Sequence, residues 1–384
     1  MKIRAVVFAA ITLAAILFSP VLPCGTERGA EYVFSEERTD PFCFDSPGKV
    51  SVSASAALLM EAESGRVLFS KSPRVKLPMA STTKIMTCLL ACELLLPETV
   101  VTVTEDTTDI EGSSVYLTAG EKLTVEELLY CAMLRSGNDA AHTLAKACGG
   151  SVENFVLLMD LRAKSLGMND THFANPSGLP AEDHYTTAYD LALLTRAALG
   201  NGEFSKVAST MHITVGGNRY LVNRNSLMAS YKGMTGVKTG YTPQAGKCLV
   251  TSAERDGVKL IAVTLNDGDQ WNDHRKMLNY GFAEFENTII AVSGGITAEP
   301  AVTGGESQKV KASNREDITC ILPRGAETVI KTERPALVYA PVKRGDRLCR
   351  ARIYADGKYL GYVDLYAESD IGNAKTNLFE RLFG

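Results

Sequence analysis

The chain has 384 residues, 45% hydrophobic and 22% charged, with a formal net charge of -4. That length accommodates one large domain and a smaller one, and the apolar share excludes a wholly disordered chain. The acidic balance argues against a nucleic-acid partner, which favours a basic surface.

Lys2 and Arg4 precede an uncharged apolar run from Ala5 to Phe18, the pattern of a secretory signal, assigned to residues 1–24. The alternative is a retained anchor, but the run is short for the ~20 apolar residues of a membrane span. Cys24 invites a lipoprotein reading, which Pro23 directly before it disfavours. Residues 25–50 are polar and irregular, a linker. Ala54 to Glu61 and Arg66 to Ser70 read as strands of a hairpin around Glu63-Ser64-Gly65. Pro78 then precedes Ser81, and an apolar helix follows through Ile85, Met86, Leu89, Leu90 and Leu94, which places Ser81 at a helix N-terminus.

Thr124 and Glu127 form a capping-box pattern for a helix that stops near Arg135. Ser136-Gly137-Asn138 is the loop before another helix, which ends at Gly149-Gly150. Thr187 and Asp190 repeat the capping pattern before a helix stopped by Gly200. Val237 opens a strand region, and Lys247 to Ala253 and Val258 to Leu265 flank the hairpin signal Arg255-Asp256-Gly257. A helix from about Asp273 to Phe285 closes this portion, so the fold class is α+β, with helices packed on an antiparallel sheet. Beyond about Asn287, short β-type runs and turns such as Asp356-Gly357 read as a small all-β domain, residues 288–370. In the tail, 371–384, Leu378, Phe379, Leu382 and Phe383 fall on one helical face, a pattern for weak membrane contact.

Of nine cysteines, Cys88 and Cys92 share one helix face and read as buried thiols, while Cys320 and Cys349 are candidates to pair. The five histidines are scattered and no CxxC occurs, so neither a metal site nor a cofactor is expected.

Three motifs carry chemistry. In Ser81-Thr82-Thr83-Lys84 the serine and lysine sit three apart, one helical turn, where a lysine of lowered pKa can activate the hydroxyl. Burial or a neighbouring positive charge lowers a lysine pKa, and Lys238 is a source of that charge. Ser136-Gly137-Asn138 supplies a relay hydroxyl and an amide, and Lys238-Thr239-Gly240 a second lysine beside a glycine fit for close approach. Each is cheap alone, as Ser46-Pro47-Gly48-Lys49 shows by repeating the first spacing without holding a helical turn. Their occurrence together and in order, at a helix start, an inter-helix loop and a strand, points to acyl transfer through a serine without histidine. The trio is a known signature of penicillin-binding proteins and class A β-lactamases.

The resemblance extends further. Leu77 to Ser81, Gly167-Met168 through Asn175-Pro176-Ser177-Gly178-Leu179, His184 to Asp190, and Gly236 to Thr242 resemble the serine-type D-alanyl-D-alanine carboxypeptidases, the low-molecular-mass penicillin-binding proteins. The likeness spans roughly residues 51–287 as catalytic domain, and the β region resembles the family's C-terminal domain. It implies a β-lactamase/transpeptidase-like catalytic fold. It also implies that Ser81 attacks the carbonyl between the terminal D-alanines of a peptidoglycan stem peptide while Lys84 takes its proton. Ser136 and Lys238 would relay a proton to the leaving D-alanine, and Asn138 would hold the substrate backbone and orient Lys84. The N–H groups of Ser81 and Tyr241 would form the oxyanion hole, and Thr239, with the Lys238 charge, would meet the terminal carboxylate beside Gly240. β-Lactams would acylate Ser81, and the enzyme would act on the extracytoplasmic face of the bacterial membrane or in the cell wall. Some members carry a carboxylate-binding arginine after the last catalytic strands; here the stretch Asp267 to Arg275 offers only Arg275, whose position suits a helix surface. The alternatives are a serine β-lactamase, against which the absence of Glu-x-x-Leu-Asn between the second and third motifs counts, and a non-catalytic cell-wall module.

Overall fold

The computed structural model describes residues 50–335 and 337–374. The signal assigned to 1–24, the linker up to residue 49 with its Ser46–Lys49 repeat, and tail residues 375–384 lie outside them. Among the described residues, one compact unit comprises 50–288 together with Thr319–Ala326, and a second comprises Ile289–Ile318 and 327–374.

In chain order, the larger unit opens with strands β1 (Ala56–Glu61) and β2 (Val67–Lys71), followed by a 3-10 turn (Ala80–Thr83) that runs into helix α1 (Lys84–Leu94). The short pair β3 (Val100–Thr102) and β4 (Lys122–Thr124) leads into α2 (Val125–Leu134), α3 (Asn138–Gly149), α4 (Val152–Ser165), α5 (Ala188–Leu199) and α6 (Gly202–Ala208). A second small hairpin, β5 (His212–Val215) and β6 (Arg219–Val222), and the one-turn α7 (Leu227–Ser230) precede β7 (Met234–Thr242), β8 (Gly246–Arg255), β9 (Val258–Leu265) and α8 (Gln270–Glu284).

The main sheet is antiparallel, in the order β2-β1-β9-β8-β7. Every position of β1 is buried because both faces of the sheet are covered. Ala56, Leu58 and Met60 join the core beneath α1 to α6, whereas Ala57 and Leu59 join a second core with Met277 and Leu278 of α8. This period-two division makes the unit three layers, helices on both sides of one sheet. The β8–β9 turn is the expected Asp256-Gly257, both at positive φ (49° and 75°), as a two-residue hairpin of the primed type requires.

Thr124 and Glu127 form both halves of the capping box on α2. At α5 only half forms: the Thr187 hydroxyl accepts from Asp190 N–H, but the Asp190 carboxylate turns to Asp170 N–H and the Thr171 hydroxyl. Aspartate is one methylene shorter than the glutamate that closes such a box. The closing helix α8 starts at Gln270, three residues before the expected Asp273, because Asp273 N–H already bonds back to the Asp269 carbonyl. Helix α4, capped by Ser151, was not anticipated.

The smaller unit is all-β. Its sheet pairs Thr297–Ala298, Ala312–Ser313, Lys358–Ala367, Arg347–Ala355 and Thr328–Glu333 in that spatial order. The seven described cysteines are all free thiols, including Cys320 and Cys349. Cys88 is buried as expected and Cys92 half-buried.

Candidate active site

Ser81 lies in the 3-10 turn, one residue after Ala80, which takes the left-handed φ of 46°. The α-helix proper begins only at Lys84, yet the turn keeps the two side chains on one face, with Lys84 Nζ 3.0 Å from Ser81 Oγ. Lys84 is fully buried. Its Nζ also meets Asn138 Oδ1 at 2.7 Å and the Ser177 carbonyl oxygen at 2.6 Å.

This arrangement decides what Lys84 can do. Burial, reinforced by the nearby charge of Lys238, pushes its pKa well below the ordinary lysine value. A neutral amine has two hydrogens and one lone pair. Lys84 Nζ donates to Ser81 Oγ, Asn138 Oδ1 and the Ser177 carbonyl oxygen; in the neutral form its two hydrogens can stay on Asn138 and Ser177 while the lone pair turns to Ser81. In that form the arrangement can accept a proton from the Ser81 hydroxyl.

Asn138 opens α3, with its own N–H donating to the Ser113 carbonyl at 2.7 Å and its side-chain amide donating to the Glu111 carbonyl. Next to it, Asp139 is buried and accepts from Ser114 Oγ, Val115 N–H and Leu117 N–H, so one carboxylate fastens the 113–117 segment to the start of α3. Ser136 is buried at a φ of 62°. Among the described residues no hydrogen bond links its hydroxyl to Ser81, Lys84 or Lys238.

Strand β7 brings the third motif. Lys238 is buried, donates from Nζ to the Thr239 carbonyl at 2.9 Å, and has its pKa lowered to about 7 by burial and the neighbouring Arg224 charge. Gly240 packs on the nucleophile's backbone, where an added Cβ would stand 3.0 Å from Ser81 N and 3.2 Å from the Met79 carbonyl oxygen. Thr239 is half-buried beside it, and Tyr241, the next residue, is exposed. Asn225, buried in the loop before α7, donates to the Gly236 carbonyl at 2.9 Å and ties β7 down.

Of the residues expected at the site, Ser81, Lys84 and Asn138 are joined directly, Gly240 touches the backbone of Ser81, and Lys238 reaches Lys84 through its charge. Three participants were missed. Ser177 acts through its carbonyl, which no side-chain motif announces. Gly178 sits at a φ of 87°, held there by Asn175 Oδ1, which accepts from Gly178 N–H at 2.7 Å and from Leu179 N–H at 3.1 Å. Arg224 donates to Ser113 Oγ at 2.9 Å, and its charge lowers the pKa of both Lys84 and Lys238. Arg275 lies on α8 and donates to the Ser230 side chain and carbonyl, a surface role as expected. No group of three or more metal-ligating side chains is assembled among the described residues.

Known proteins match the chain along most of its length. The family described as D-alanyl-D-alanine carboxypeptidase matches residues 44–269, and the penicillin-binding protein 5 C-terminal domain matches residues 285–373. The chain is 32% identical to the D-alanyl-D-alanine carboxypeptidase DacF of Bacillus subtilis over 84% of this chain and 86% of that protein. It is 33% identical to DacC of Escherichia coli over 80% and 82% of the respective lengths. The crystal structure of penicillin-binding protein 5 from Haemophilus influenzae superposes with a TM-score of 0.73 at 27% identity, covering 84% of this chain and 98% of that one. The serine–lysine–asparagine constellation thus sits within a match that runs through both units, and the chain belongs to the D-alanyl-D-alanine carboxypeptidase family.

Proposed function

We propose that this chain is a serine D,D-carboxypeptidase that removes the terminal D-alanine from peptidoglycan pentapeptide stems through an acyl-serine intermediate. The observation that carries the proposal is the placement of Lys84 Nζ between Ser81 Oγ, Asn138 Oδ1 and the Ser177 carbonyl. Ser81 Oγ attacks the carbonyl between the two D-alanines as its proton passes to Lys84. The N–H groups of Ser81 and Tyr241 receive the oxyanion, an interaction worth ~2.7–4 kcal/mol per donor where it has been removed in other enzymes. That proton passes from Lys84 by way of Ser136 and Lys238 to the departing amine, which leaves as D-alanine, and Lys84 is neutral again. Thr239, Lys238 and Arg224 face the substrate's terminal carboxylate. Water then attacks the ester, giving up a proton to Lys84, which passes it to Ser81 Oγ as the acyl–oxygen bond breaks, so both residues return to their starting state.

β-Lactams enter the same route, and their leaving group stays tethered, so the adduct persists. The reading includes export through the 1–24 signal, action in the cell wall, and peripheral membrane contact through the 371–384 tail.

The test is D-alanine release from a diacyl-Lys-D-Ala-D-Ala tripeptide by the wild type and by Ser81→Ala. Release by the wild type alone supports both reaction and nucleophile. Release by both removes Ser81 from its role, and rapid turnover of penicillin without D-alanine release turns the assignment to a β-lactamase.

A further inference from the structure

A chain of buried hydrogen bonds ends on the carbonyl of Ala80, the residue before Ser81. Ala174 N–H donates to His184 Nδ1 at 2.9 Å. A nitrogen that accepts carries no hydrogen, so the hydrogen of this imidazole is on Nε2. That nitrogen lies 2.7 Å from Thr83 Oγ1, to which it donates. With its acceptor side engaged, the Thr83 hydroxyl directs its own hydrogen to the Ala80 carbonyl oxygen, 2.8 Å away. Thr83 is wholly buried and His184 nearly so. Burial holds the imidazole neutral, with its pKa lowered to about 4, which keeps this polarity fixed at neutral pH.

The end of the chain is the Ala80–Ser81 peptide. A trans peptide is planar, so its C=O and N–H point in opposite directions and the orientation of one sets the other. That peptide is also pressed from two sides: a Cβ at Gly178 would stand 1.9 Å from the Ala80 oxygen, and one at Gly240 would stand 3.0 Å from Ser81 N. We infer that His184 and Thr83 are positioning residues that set the direction of the Ser81 N–H, and so the alignment of the oxyanion hole. The inference rests on the acyl-serine reading above. Neither residue touches the substrate in it.

The experiment measures penicillin acylation by stopped flow, resolving the reversible binding constant from the acylation rate constant, with thermal melting in parallel. His184→Asn still accepts from Ala174 N–H but is too short to reach Thr83, and Thr83→Val removes the relay hydroxyl. Each is expected to lower the acylation rate constant about 10- to 100-fold, a part of the ~10²- to 10³-fold effect of deleting an oxyanion donor, with the reversible binding constant within about threefold. His184→Gln, whose amide can donate to Thr83, and Thr83→Ser are expected to restore the rate to within about threefold of wild type. The double variant His184→Asn/Thr83→Val should be no slower than the slower single one, because both act through one bond. Should Thr83→Val fail to fold, His184→Asn against His184→Gln decides alone. Acylation by folded His184→Asn at the wild-type rate overturns the inference, as does a loss confined to reversible binding. If the wild type itself forms no Ser81 adduct, the acyl-serine reading fails first and the inference falls with it.

Discussion

Gly178 is locked against the carbonyl of Ala80: a Cβ on this glycine would lie 1.9 Å from the Ala80 oxygen and 2.8 Å from Ser81 N. Its φ of 87° independently favours glycine. Gly178→Ala must therefore shift either its own loop or the turn that carries the nucleophile. The same loop holds the Ser177 carbonyl on Lys84. The expected outcome is a loss of penicillin acylation of at least about 100-fold, with a stability cost of about 1–3 kcal/mol. Stopped-flow acylation and urea unfolding measure the two.

Asn138 accepts from a lysine that must be neutral to act. Asn138→Asp places a carboxylate at that acceptor, 2.7 Å from Nζ in the native geometry. An adjacent opposite charge raises a lysine pKa by about 1–3 units. Acylation at pH 7 should fall, and the acid limb of its pH profile should move about 1–3 units upward. A profile that keeps its acid limb while losing amplitude would argue that Asn138 serves the substrate rather than the base.

Lys238 is expected to define the alkaline side. With a pKa of about 7 in the free enzyme, its charge is lost as pH rises through that value, so kcat/KM should decline above neutrality if the ammonium meets the substrate carboxylate. The bound carboxylate favours the charged form, so the corresponding limb in kcat should lie at higher pH. For stability the sign is opposite to a gained ion pair. Between about 7 and the unfolded value of 10.5 the unfolded chain holds a proton that the folded one lacks, so folding stability from this residue rises with pH across that window. Lys238→Met should raise the melting midpoint at pH 6, by about 2–4 °C for each kcal/mol recovered, while abolishing activity. Calorimetry and D-alanine release on the same preparation test this together.

Ser53 joins two carboxylates with one hydroxyl. Its Oγ lies 2.8 Å from Asp267 Oδ1 and 2.8 Å from Asp273 Oδ2, and Asp269 N–H donates to it at 3.0 Å. One hydroxyl hydrogen serves only one of these oxygens at a time, so the two carboxylates compete for it. Burial raises the Asp267 pKa, whereas hydrogen bonds from Lys276 and Ser53 keep Asp273 low against its own burial, so of the two Asp267 is the carboxylate that takes up a proton first as pH falls. The stability from a raised carboxyl is complete below its unfolded pKa and is lost as pH rises through the folded one. Asp267→Asn should accordingly cost less at pH 7 than Asp273→Asn, which should cost about 1–3 kcal/mol. Equal losses in urea unfolding would refute this order.

The elements were legible where local chemistry and tertiary context agree. The capping box at Thr124, the Asp256-Gly257 turn and the apolar run from Ile85 to Leu94 each formed where expected. Asp190 shows the limit: the pattern marked the helix start, but a side chain one methylene short found its partners in the 170–171 turn, which no local rule contains. At the site, the motifs made Ser81, Lys84 and Asn138 legible, and the structure joins them, whereas the Arg224 side chain stood in no motif. Ser177 acts by its carbonyl, Gly178 by lacking a side chain, and His184 through a hydroxyl a hundred residues away in sequence. Such roles depend on which segments the fold brings together, and spacing carries no trace of them.

The buried cysteines bear on how this fold meets oxidants. Cys88, Cys131 and Cys248 are sealed in the core, and burial raises all three thiols, to about 12 for Cys131 and about 11 for Cys248. Oxidants and disulfide donors react with the thiolate, which is scarce at those values. Among the described residues no disulfide cross-links the larger unit, and these three thiols become reactive only when the core opens. Their labelling rate is a built-in clock for that opening.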